Sequence, residues 1–169
     1  MLKRYFVVGN KLLCFIPRTA STSLLTLIQE KFYPNLKRIK NVTLHFKIPS
    51  IIDDGKRELV SVIRNPIDRF LSGCARKKWT IEYGIAELKK IKPDFHIRAQ
   101  YTFLSEKRET KLFKFPEQID ELASYLGLPI PVPKLNVSTE KPVPTTEQLE
   151  WLTTYYQKDF DLLNKIKLI

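Results

Sequence analysis

In Phe15-Ile16-Pro17-Arg18-Thr19-Ala20-Ser21-Thr22-Ser23-Leu24 an apolar segment gives way to a loop of small and hydroxylated residues. Leu24, Leu25, Leu27 and Ile28 then give a broad apolar face to a helix expected over Thr22–Phe32. A strand that passes through such a loop straight into a helix aims several backbone N–H groups at one point. The positive end of the helix dipole adds to them, and an anion is the natural occupant. Arg18 contributes a fixed positive charge, while Thr19, Ser21, Thr22 and Ser23 contribute hydroxyls around Ala20. The loop is not a Walker A motif, because it has no glycine and no Lys-Ser/Thr pair at the helix start. An ordinary N-capped helix after a strand is the plain alternative.

Upstream, Tyr5–Val8 and Leu12–Ile16 read as two short strands around a Gly9-Asn10 turn. Downstream, Val42–Phe46 is a short apolar segment expected as a strand or its end. Leu59–Ile63 is an apolar run of the kind buried in a parallel sheet. It ends in Arg64, after which Asn65 as N-cap and Pro66 at the first helical position open a helix. Ile67, Phe70, Leu71 and Cys74 lie on one face of it. Arg64 at the strand's end and Ser72 on the helix can converge on one phosphate, the arginine as a bidentate fork. The plain alternative is an Arg64–Asp68 ion pair and a solvated serine.

Helices are expected over Ile81–Ile91, Pro116–Leu126 and from Thr145 or Thr146 to about Leu163, with a strand at Lys111–Phe115. Gly127 stops the second of these helices. Leu128–Pro144 holds five prolines and reads as a surface loop. Strands alternating with helices, without a linker, predict one domain over residues 1–169. The expected architecture is α/β, a P-loop-like three-layer fold with a mostly parallel sheet flanked by helices.

Charge narrows the partners. Residues 1–50 hold nine basic residues against one acidic, residues 51–115 fifteen against nine, and the remainder five against eight. The net charge of +11 favours polyanions: nucleotides, nucleic acid, sulfated glycans or acidic surfaces. Aromatic residues fall mostly in apolar patterns rather than between basic ones, which argues against a stacking platform for nucleic acid. No apolar run reaches the roughly 20 residues needed to span a bilayer. The N-terminal stretch lacks the pattern of a signal peptide, so a cytoplasmic location is expected. Cys14 and Cys74 sit in apolar patterns and are expected as buried, reduced thiols.

Taken together, Pro17-Arg-Thr-Ala-Ser-Thr-Ser23 and Arg64-Asn-Pro-Ile-Asp-Arg-Phe-Leu-Ser72 resemble the paired nucleotide loops of sulfotransferases. The likeness is nearest to the carbohydrate branch, particularly the heparan sulfate and uronyl 2-O-sulfotransferases. Thr110–Leu122, Leu135-Asn-Val-Ser138 and Tyr155–Leu163 extend it in the family's order over most of the chain. The resemblance implies a sulfuryl donor, 3′-phosphoadenosine 5′-phosphosulfate, and a product, adenosine 3′,5′-bisphosphate. Arg18, Thr19, Ala20, Ser21, Thr22 and Ser23 would hold the 5′-phosphosulfate, and Arg64 with Ser72 the 3′-phosphate. Arg18 stands where the family has Lys, and Asn65 where it has Asp. A planar fork replaces a point charge at the first of these positions.

Transfer to a hydroxyl needs a proton acceptor, and the chain has two histidines, His45 and His96. His45 lies between the two loops, where the resembled enzymes place their base, and an ordinary imidazole suits the task. Arg18 is the second catalytic candidate. His96, Arg98 and Gln100 are expected along the cleft for the acceptor, an anionic carbohydrate. No metal-ligand spacing is present and no metal is expected. A P-loop-type phosphotransferase, a catalytically weak nucleotide binder and a nucleic-acid module are the competing classes.

Overall fold

The computed structural model describes residues 5–35, 50–51, 54–135 and 140–166. Five strands, β1 Tyr5–Val8, β2 Lys11–Cys14, β3 Ser50–Ile51, β4 Glu58–Arg64 and β5 Thr110–Phe115, form one sheet in the order β3-β1-β2-β4-β5. β1 runs antiparallel to both its neighbours, while β2, β4 and β5 are parallel. Four strands therefore point one way and only β1 opposes them, so the sheet is mostly parallel and the fold is mixed α/β. Gly9, at φ +58°, supplies the left-handed residue that the tight β1–β2 turn requires.

The helices are α1 Ser21–Phe32, α2 Pro66–Lys77, α3 Ile81–Leu88, α4 Ile119–Tyr125, α5 Thr146–Tyr155 and α6 Gln157–Lys165. A 3₁₀ turn spans Gln100–Phe103. Strand residues alternate between two cores, as the two-residue period of a strand demands. Phe6, Val8, Leu13, Val60, Val62 and Phe113 pack with α1 and α4. Tyr5, Leu12, Cys14, Leu59 and Ile63 pack instead with Leu104 and the end of α6. A third cluster joins α2, α3 and α5 through Phe70, Cys74, Ile81, Leu88, Leu152 and Tyr156. Cys14 and Cys74 are both free and buried, and burial pushes the Cys74 thiol up to about 12.

Several boundaries differ from expectation. β2 ends at Cys14, because Phe15 and Ile16 already lead into the Pro17 turn. α3 stops at Leu88, three residues before Ile91, which is fully exposed. α4 begins only at Ile119, after a turn over Pro116–Gln118. The expected final helix is two helices broken at Tyr156, whose buried ring lies against Phe70. Val42–Phe46 lies outside the described residues.

Candidate functional site

β2 and β4 are parallel neighbours in register, Cys14 opposite Ser61, so the loops that follow them leave the same end of the sheet. From there β2 leads to α1 on one face, while β4 leads to α2 in a different helical cluster. Adjacent parallel strands whose connections diverge in this way open a crevice beyond their carboxyl ends, the usual ligand position of an α/β sheet.

The first loop is strained and tied down. Arg18 (φ 68°) and Ala20 (φ 58°) are both left-handed without being glycine, at roughly 1–3 kcal/mol each. Three hydrogen bonds hold that backbone in place. Thr19 Oγ1 donates to the Ile16 carbonyl at 2.7 Å, Arg69 Nε to the Pro17 carbonyl at 2.9 Å, and Arg64 Nη1 to the Arg18 carbonyl at 3.3 Å. The Thr19 hydroxyl was expected to face a ligand. It is buried and closes the loop instead.

α1 begins at this loop with Ala20 as its N-cap, no side-chain cap and no acidic residue in its first turn. Each of the other five α-helices has a side-chain cap or a first-turn carboxylate: Asn65, Thr80 and Thr145 cap α2, α3 and α5. α4 carries Asp120 and Glu121, and α6 carries Asp159. The positive end of α1 is therefore not neutralised by its own cap or first turn. Ser21 and Thr22 are half-buried there, while Ser23 is buried and accepts the Leu135 N–H at 3.3 Å. Asn136 and Ser138 lie outside the described residues.

Arginines surround the helix start. Arg18 donates from Nε and Nη2 to Ser72 Oγ at 3.0 and 2.7 Å, which joins the two loops directly. Ser72 is buried beneath that guanidinium. Burial depresses the pKa of Arg18, and the nearby charges of Arg64 and Arg76 depress it further. Burial also depresses Arg64, with distant Asp68 opposing. The alternative Arg64–Asp68 ion pair does not form, and Asp68 lies 3.5 Å from Lys141 instead. Among the described residues no carboxylate stands within ion-pair distance of Arg64.

Arg69, to which the sequence alone assigns no role, anchors the first loop to segment 95–98. It is fully buried and donates to the carbonyls of Pro17, Arg98 (2.8 Å) and Phe95 (3.1 Å). Burial lowers its pKa to about 10, which leaves it charged at neutral pH. A lone Arg in an amphipathic helix pattern reads as solvated; the Arg-x-x-Ser spacing was the signal to look further.

Of the three expected cleft residues, Gln100 is fully buried and clamps the main chain of Arg64. Its Oε1 accepts the Arg64 N–H at 3.0 Å and its Nε2 donates to the Arg64 carbonyl at 2.8 Å. It supports the arginine from behind and does not line an open surface. Arg98 lies 4.2 Å from the Phe103 ring centroid, with its Nε buried and unbonded among the described residues. His96 pairs with Asp94, Nδ1 to Oδ1 2.8 Å. His45 lies outside the described residues. The described residues thus join Arg18 to Ser72, and Arg64 to the Arg18 backbone, at the start of α1. No protein-family model, curated protein or solved structure matches this chain.

Proposed function

We propose that this chain is a sulfotransferase using 3′-phosphoadenosine 5′-phosphosulfate, built on a P-loop-like three-layer plan. The carrying observation is that Arg18 and Arg64 meet at the uncapped start of α1, where Arg64 donates to the Arg18 carbonyl and Arg18 donates to Ser72. Two guanidiniums and a helix N-terminus suit a nucleotide with phosphate at both the 5′ and 3′ positions. The donor supplies an activated sulfuryl group on its 5′-phosphate. Arg18 and the α1 N–H groups would stabilise the charge that develops on that phosphate as the sulfuryl group leaves. Arg64, stiffened by Gln100, would hold the 3′-phosphate. The acceptor in this reading is a hydroxyl of an anionic carbohydrate, drawn by the basic surface. The resemblance assigns the proton to His45.

Calorimetric titration with adenosine 3′,5′-bisphosphate and with AMP tests the nucleotide half of this reading. The bisphosphate binds more tightly, and Arg64→Ala removes most of that advantage, a loss of about 1.5–3 kcal/mol for a charge-assisted contact. Equal affinities in the wild type would defeat the 3′-phosphate site.

A further inference from the structure

Segment 94–98 crosses α2 at close range. A Cβ added to Gly73 would stand 2.5 Å from Ile97 Cγ2 and 3.2 Å from the His96 carbonyl oxygen. Arg69 spans the same crossing through the Phe95 and Arg98 carbonyls. The main chain of His96 is thereby fixed one residue along α2 from Ser72, which holds Arg18.

The imidazole is fixed as well. Its Nδ1 lies 2.8 Å from Asp94 Oδ1, which also accepts the His96 N–H at 2.8 Å. Lys77 Nζ donates to Asp94 Oδ2 at 2.9 Å, so both carboxylate oxygens are engaged. Phe95 lies against the ring with 3.9 Å between centroids. The side chain is 22% exposed, and Nε2 has no hydrogen-bond partner among the described residues. A carboxylate on Nδ1 keeps the proton there, which leaves the lone pair on Nε2.

We propose that His96, oriented by Asp94, accepts the proton of the acceptor hydroxyl, the role that the resemblance gives to His45. This rests on the sulfotransferase reading above and deepens it. The acceptor oxygen forms the new bond to sulfur as the bond from sulfur to the 5′-phosphate oxygen breaks. The hydroxyl proton passes to Nε2, and the electron pair leaves on adenosine 3′,5′-bisphosphate. Three charged groups act on the ring: Asp94, bonded to it from its own segment, and at longer range Lys77 from α2 and Arg18 from the first loop. Burial lowers the imidazole pKa below its usual value, Lys77 and Arg18 add to this, and Asp94 opposes them. The ring is therefore neutral at neutral pH, as a base must be. Asp94 is a positioning residue, acting through His96.

The test measures transfer of labelled sulfate from the donor to O-desulfated heparin, a simple glucuronide and a phenol, beside bisphosphate affinity by calorimetry. His96→Ala lowers turnover by ~10²–10⁴-fold, leaves bisphosphate affinity unchanged and is partly rescued by imidazole in the buffer. In the wild type the rate falls as pH drops through the His96 pKa. Asp94→Asn moves that limb to lower pH, because the influence raising the pKa is lost, and lowers the maximal rate. A merely structural Asp94 would leave the limb in place, and this comparison stands even where His96→Ala fails to fold. Wild-type turnover in His96→Ala, or a pH limb that disappears in His45→Ala instead, overturns the assignment to His96. A wild-type protein that binds the bisphosphate but sulfates none of the three acceptors overturns the base and the chemistry together. Failure to bind the bisphosphate overturns the nucleotide site itself.

Discussion

Arg18 and Ser72 lie far apart in sequence, yet a forked pair of hydrogen bonds makes them one unit. Ser72 is buried, so its route to a ligand runs through the guanidinium above it. A serine that touched phosphate independently would contribute additively with Arg18. One that holds the arginine in place would not. The expected result is therefore non-additive. Arg18→Ala weakens adenosine 3′,5′-bisphosphate binding by about 1.5–3 kcal/mol, as for a lost charged hydrogen-bond donor, and Ser72→Ala by less. In the Arg18→Ala background, Ser72→Ala changes little further. Calorimetry on the four proteins of this cycle decides the matter, and simple addition of the two losses would return Ser72 to direct phosphate contact. Arg18→Lys keeps the charge and at most one of the two bonds to Ser72, so it falls between wild type and Arg18→Ala.

At the scale of elements, the last helix reaches the site through one carboxylate. Asp159, buried in the first turn of α6, accepts the N–H groups of Gln100 at 2.7 Å and Tyr101 at 2.9 Å. Gln100 in turn clamps the Arg64 main chain, so α6 sets the position of the end of β4. Burial pushes the Asp159 carboxyl above its usual pKa, with those two bonds and Arg69 pulling it back. Asp159→Ala strands two backbone donors, each costing about 1–3 kcal/mol when buried and unpaired. The protein should lose stability by that order in urea unfolding, and bisphosphate affinity should fall although Asp159 touches no ligand. Unchanged affinity in a folded Asp159→Ala protein would show that the clamp does not govern Arg64. The sequence singles out Gln100 and the Tyr155–Leu163 segment that holds Asp159, but nothing in it links the two to Arg64. The α2 start was legible because Asn65-Pro66 is a local signal, and Asn65 Oδ1 does accept the Ile67 and Asp68 N–H groups. The two loops were legible as strand-to-helix connections for the same reason, each being a contiguous run. The break at Tyr156 was hidden, because YYQKDF continues a helical pattern and only tertiary packing interrupts it. Gln100 and Arg69 were missed as supports because a polar side chain reveals its burial only through distant partners.

Across the whole molecule, the site lies where the three cores meet. The first loop links β2 to α1, Arg69 projects from the α2–α3–α5 cluster, and Asp159 belongs to the helix that closes the other sheet face. A ligand held by Arg18 and Arg64 would be linked to those packing units through Arg69, Gln100 and Asp159, so its binding energy would bear on the unfolding of the entire chain. Binding to the native state alone adds RT ln(1 + [L]/Kd) to stability. At a hundredfold excess over Kd that is about 2.7 kcal/mol, or ~5–11 °C in Tm for a domain of this size. Adenosine 3′,5′-bisphosphate should produce a shift of that order in a single transition. AMP at the same concentration should produce a clearly smaller one, since it brings no 3′-phosphate to Arg64. Raising salt should shrink both shifts, because a chain of net charge +11 attracts these anions through a screened field. The bisphosphate should nonetheless keep its lead, because half-buried Arg18 and Arg64 are screened less than surface lysines. Calorimetric melting with each nucleotide at low and high salt checks this. If the bisphosphate's lead over AMP vanishes at high salt, diffuse charge attraction accounts for the binding and the built arginine site does not.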